Sequence, residues 1–311
     1  MKKKIATILL GLTVVLSIVA CGNKDNSIEV EEGIIMEDSE EMSTNSSINM
    51  TSEEISDILS NITEENAEFY GYCNITDECS MIDDDEGNIV FSSKADVNDA
   101  MYYYKDHILV IKGHGAASHE WREIKGFDYE KEIEVVIIDE GITMLEYASF
   151  RDCSNLKYVH FPSTLGIIQG ELFSECKKLS NVTLPENLYG IYNRAFSGCS
   201  SLTEIDIPDT TLVIGDSAFS RCYSLQRVKL PRSVKTYYNF SYGPFQSCSN
   251  LSEVEIPDSL EYMSDNIFTY CTNIKKVKLG EIEFTDIQKL NIYLYDNQLS
   301  DSQMTFPISA N

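Results

Sequence analysis

The chain has 311 residues, with 24 Lys and Arg against 50 Asp and Glu, a formal net charge of −26. That balance repels polyanions and excludes nucleic acid as a partner. Composition alone does not decide on metal or acid–base chemistry, so the informative features are patterns along the chain.

Residues 1–20 carry Lys2, Lys3 and Lys4 and then an apolar run from Ile5 to Ala20. This is the layout of a secretory signal, too short and wrongly flanked for a spanning helix. It ends in Ile18-Val19-Ala20-Cys21, which resembles a bacterial lipobox; that resemblance implies lipidation at Cys21, and so a protein exported and lipid-anchored to the outer side of a bacterial membrane. An ordinary signal peptide with a chance cysteine is the alternative.

Residues 21–66 are acidic: between 22 and 66 there are 13 acidic residues and one Lys. Gly22 to Met50 has no aromatic residue and too little apolar surface to offset its ordering entropy, which predicts a self-repelling stalk. Thr51 and Glu54 have capping-box spacing, and Ile55, Ile58, Leu59 and Ile62 share one helical face, predicting a short amphipathic helix near 52–66. Residues 67–126 read as a cap over the first coil of a repeat array that begins at 127. They hold Cys73 and Cys79, six apart in an exported segment, where a local disulfide and two free thiols both remain open. His114 and His119 lack the spacing that places two imidazoles on one helical face. Asp83-Asp84-Asp85-Glu86-Gly87 reads as a turn without the spaced ligands of a calcium loop.

From 127 to 280 the motif F-x-x-C-x-x-[LI]-x-x-[VI]-x-[FIL] occurs six times, at Cys153, Cys176, Cys199, Cys222, Cys248 and Cys271. The spacings are 23, 23, 23, 26 and 23 residues. A fixed period in that range means a solenoid of about six to seven coils, each too small to bury its apolar face alone. Within a coil, Leu202, Ile205 and Ile207 lead to Pro208, which has no N–H for a ladder and ends the strand. Phe150, Phe173, Phe196, Phe219, Phe245 and Phe268 should stack as a spine, and the cysteines should be buried small residues at each turn. Residues 281–311 then form a second cap.

This pattern resembles the BspA-type leucine-rich repeat family of bacterial surface proteins, through the L-x-x-[VI]-x-[LI]-P strand, the isoleucine six residues after the proline and the A-F-x-x-C turn. Ile108–Gly115, Trp121-Arg122 and Val136–Gly141 match its entry segment more loosely. The resemblance implies a leucine-rich-repeat solenoid with short parallel strands on the concave face and loops elsewhere, acting as a protein-binding module and, in some members, an adhesin.

Two rows of outward strand residues can be read from the period: His160, Thr183, Asp206, Lys229, Glu255, Lys278, and Tyr158, Asn181, Glu204, Arg227, Glu253, Lys276. The last four of each alternate acid and base, which reads as a ladder that solvates and registers the strands or, alternatively, as a binding surface. The 26-residue repeat breaks the period: Tyr237 replaces isoleucine, and Tyr238, Phe240 and Tyr242 crowd the insertion. These four are the candidate binding residues, since exposed aromatics often anchor partners; local packing is the bland alternative. No catalytic constellation, metal-ligand cluster or cofactor motif stands out, so the sequence points to a non-enzymatic protein needing no cofactor. Its expected partner is a protein ligand of unknown identity, from the host or the envelope, engaged at the cell surface, with adhesion to host or matrix proteins as the role the resemblance implies. The alternative is an envelope scaffold with no host ligand.

Overall fold

The computed structural model describes residues 48–73, 82–83, 89–90, 99–234, 243–260, 262–263 and 267–299. The chain divides into two units, Met1–Ser46 and Ser47–Asn311, and the first lies outside the described residues. So do Cys21, Cys79, the turn at 84–87 and all four aromatics 237, 238, 240 and 242.

The second unit is a solenoid of short, mostly parallel strands. Its main wall is a sheet in two pieces. The first runs, in spatial order, Phe69–Tyr72, Met101–Lys105, Ile108–Lys112, Val135–Ile138 and Tyr158–His160. The second runs Glu204–Asp206, Arg227–Lys229, Glu253–Ile256, Lys276–Leu279 and Ile282–Phe284. Between them the coil Leu179–Leu184 forms no strand. Its Ser-Asn-Val-Thr sequence fits the repeat template, but Asn is depleted in strands because its amide competes for backbone bonds. A second wall carries Ile167–Ile168, Gly190–Ile191 and Val213–Ile214 in parallel register, with Ile168, Ile191 and Ile214 buried in the core as the six-residue offset from each proline predicts.

The phenylalanine spine forms. Successive rings from Phe150 to Phe245 stack with centroids 5.1–5.4 Å apart, and Phe245–Phe268 continues the stack at 5.7 Å. Trp121, in the short helical turn Glu120–Glu123, stacks on Phe150 at 5.3 Å and extends the spine into the cap. The coils carrying Phe150, Phe173, Phe196 and Phe219 turn through left-handed residues four apart, such as Glu171 with Glu175 and Ser217 with Arg221. There the backbone amides bond to the next coil, as Phe173 N to Ala195 O at 2.8 Å.

The cysteines sit in this turn layer, buried as free thiols. Five of the six repeat cysteines donate to the phenylalanine carbonyl of the preceding coil: Cys176 Sγ to Phe150 O at 3.1 Å, Cys199 to Phe173 at 3.2 Å, Cys222 to Phe196 at 3.3 Å, Cys248 to Phe219 at 3.1 Å and Cys271 to Phe245 at 2.9 Å; Cys153, in the first copy, faces Tyr129 O at 3.7 Å instead. The same carbonyls also accept from the backbone N–H three residues on, as Phe150 O does from Cys153 N at 3.2 Å, so the thiol fills a small apolar site and adds a second, weak bond. Burial pushes the Cys222 thiol up to about 12.

Both ends are closed by reversing the strand direction. At the start, Phe69–Tyr72, Met101–Lys105 and Ile108–Lys112 pair antiparallel before the parallel array begins. At the end, Gly280 (φ 55°) stands where earlier coils have proline, and Ile282–Phe284 folds back antiparallel on Lys276–Leu279. A Cβ at Gly280 would lie 2.7 Å from Asp258 Cβ. The helix Ile287–Asp296, capped by the Asp286 carboxylate on Lys289 N, then buries Leu290 and Leu294. No helix among the described residues is long and apolar enough to cross a membrane.

Candidate binding face

Alternate residues of each main-wall strand point out of the core, and within each piece of the wall their register lines them up on one face. In the second half of the sheet the two predicted rows are present. Glu204 is paired with Arg227, Arg227 with Glu253, and Glu253 with Lys276; Asp206, Lys229, Glu255 and Lys278 run alongside. Val228, Val254 and Val277 between them are buried. Arg227 lies 3.0 Å from Glu204, 2.8 Å from Asp206 and 3.9 Å from Glu255. Lys276 reaches Glu253 at 2.5 Å, and the ammonium holds that carboxyl below its ordinary range. Glu204, Asp206 and Lys229 are exposed, and Arg227, Glu253, Glu255, Lys276 and Lys278 are half-exposed.

The first half of the same face is apolar. Its outward residues are Ile108 and Val110, then Val135 and Ile137, in register with Tyr158 and His160. All four aliphatic residues are buried, because the helix Ser52–Asn61 lies on them. Thr51 caps that helix in a complete capping box with Glu54. Ile55, Ile58 and Ile62 pack against the four sheet residues, with Met50, Leu59, Tyr103 and Tyr158 at the margin. The helix has no basic residue in its last turn. Lys112, at the end of the strand beneath, supplies the cation there: its Nζ donates to the carbonyls of Ile62 (2.6 Å) and Leu59. A cation at a helix C-terminus satisfies orphan carbonyls and opposes the dipole. Burial lowers the Lys112 pKa. Ahead of the helix, Asn181 of the strandless coil donates to Asn49 at 3.4 Å.

The other sequence candidates are scattered. Cys73 is a buried free thiol, pushed up to about 12 mainly by burial. His114 Nδ1 lies 3.1 Å from Asp99, and His119 Nδ1 lies 3.2 Å from Glu146. No group of three or more His, Cys, Asp or Glu among the described residues could hold a metal ion. The sequence reading missed the apolar half of the face, although its signal was present. Ile108-Leu109-Val110-Ile111 and Val135-Val136-Ile137-Ile138 are continuous apolar runs, the mark of a strand covered on both sides.

The family model for the BspA-type leucine-rich repeat region matches residues 123–243 and 238–309, in six copies. Among solved structures, the Treponema pallidum leucine-rich repeat protein is 28% identical over 58% of this chain and 78% of that one, with a TM-score of 0.43. A leucine-rich repeat protein from Bacteroides ovatus is 24% identical over 60% and 54%, with a TM-score of 0.38. A leucine-rich cell surface protein from Faecalibacterium prausnitzii is 14% identical over 66% and 97%, with a TM-score of 0.24. No curated protein matches. With its model matched across more than half the sequence, on coils stacked as that motif requires, the chain belongs to the BspA-type leucine-rich repeat family.

Proposed function

We propose that this is a lipid-anchored bacterial cell-surface protein whose repeat sheet binds a protein ligand, with adhesion to host or matrix proteins as its role. The observation that carries this reading is the charged half of the face from Glu204 to Lys278. It presents both signs of charge to solvent on a rigid, registered sheet. Such a surface orients a partner through complementary pairs and has little long-range pull on a polyanion. Family membership supports a binding role, and the Lys2–Lys4, apolar-run and Cys21 pattern supports export and anchoring. Catalysis and cofactors are no part of this reading. The aromatics Tyr237, Tyr238, Phe240 and Tyr242 are a second candidate contact.

The test is capture by the full mature chain of purified matrix proteins, host extracts and the cell's own envelope. Captured ligands are then titrated against Arg227→Glu with Lys229→Glu, and against Tyr238, Phe240 and Tyr242 changed to Ser. A host or matrix ligand weakened at least tenfold by the charge reversals is the expected result. Binding that survives them and falls with the aromatic triple change moves the site to the insertion. Capture of envelope components alone overturns adhesion.

A further inference from the structure

The helix Ser52–Asn61 is held differently from the coils it covers. The coils are hydrogen-bonded to their neighbours along the turns and, except at the strandless Leu179–Leu184, along the strands as well. The helix has no strand partner. Three isoleucines, at i, i+3 and i+7, anchor it, with Lys112 at its end and turn residues Thr63–Asn66 between it and the first strand. A ten-residue helix is marginal in water without its docking surface. The surface beneath is built independently of it, because Ile108, Val110, Val135 and Ile137 are set by the sheet register alone.

We propose that this part of the sheet is an acceptor for an amphipathic helix, and that residues 48–62 occupy it in cis as a displaceable cover. The proposal rests on the protein-binding reading and enlarges it: the ligand surface continues from the charged half into an apolar half that the chain keeps shut. The ligand element it fits is a helix with apolar residues at i, i+3 and i+7 and an acidic outer side. The cover shows that fit, carrying Glu53, Glu54 and Asp57 with no basic residue from 51 to 62. The acceptor is basic at its edge, where Lys105 and Lys112 stand in register with Ile108 and Met101. Recognition of this kind is the helix-in-groove mode. A ligand helix must outcompete a segment present at the high effective concentration of an intramolecular partner.

Two measurements on the full chain test this. In hydrogen exchange, amides of residues 55–62 should exchange at least 100-fold faster than those of Leu109–Ile111, as a cover opening on its own requires. Exchange together with the strands overturns the proposal. In the second, Ile55→Asp with Ile58→Asp releases the cover, and a labelled peptide of residues 48–66 is the probe. The variant should keep its cooperative thermal transition and bind the peptide at least tenfold more tightly than the wild-type chain. Adding Ile137→Asp should abolish that binding, and a peptide of the same composition with scrambled isoleucine spacing should not bind. Loss of the cooperative transition shows that the helix is part of the core, and a released variant that ignores the peptide shows no acceptor; either overturns the proposal. Because the probe is the chain's own segment, these outcomes are independent of whether an external ligand is found.

Discussion

The two halves of the sheet face are built on one backbone and solve the same problem differently. From Glu204 to Lys278 the outward residues are charged, each beside its opposite, and water covers them. From Ile108 to Ile137 they are aliphatic, and ten residues of helix cover them. The difference teaches that the repeat period dictates where an outward side chain stands, and its chemistry alone decides what must cover it. Register is free in both halves; solvation is not.

The sharpest way to separate the halves is truncation at matched positions. Ile137→Ala removes a buried side chain from the helix-covered half and should cost about 2–4 kcal/mol. It should appear as a lower urea midpoint, and an effect under about 0.5 kcal/mol would mean that the helix contributes no burial there. Arg227→Ala, in the charged half, removes three ion pairs around one guanidinium and should cost about 1 kcal/mol, shrinking as salt rises. A loss that is larger and salt-independent would erase the contrast. The smallest effect is on pH. The Lys276 ammonium depresses the folded pKa of Glu253, so the folded state binds that proton less readily than the unfolded chain does. The pair's contribution is therefore complete above the ordinary carboxylate value of about 4.3 and is lost as pH falls through the lower folded value. Acidification should speed exchange at Val254 and Val277 before Val136, and Glu253→Gln should remove that difference.

Much of this was legible in the sequence because a 23-residue period converts position into structure. Phe150 to Phe268, the prolines and the inward Ile168, Ile191 and Ile214 all stand where the period places them, and so do the charge rows. Thr51 and Glu54 announced the helix. What stayed hidden was its destination. Docking is a contact between residues roughly 50 to 80 apart with no repeat to align them, and only the unbroken apolar runs at 108–111 and 135–138 carried a hint. The interruption at Leu179–Leu184 was equally hidden, since Asn181 and Thr183 satisfy the template while weakening the strand. The thiol-to-carbonyl bonds were out of reach for a simpler reason: burial of the cysteines follows from the pattern, but the direction of an S–H does not.

Those bonds make the array its own strain gauge. Each thiol is sealed by the coil before it, so a cysteine becomes alkylatable when its neighbour lifts away. Solenoid stability is a chain of nearest-neighbour interfaces, and the sequence has placed one titratable reporter at each. Cys222 is fully buried, whereas Cys271, nearest the C-terminal end, retains 8% exposure. The order in which the thiols react therefore reads out the order in which the coils unzip, without a label being introduced.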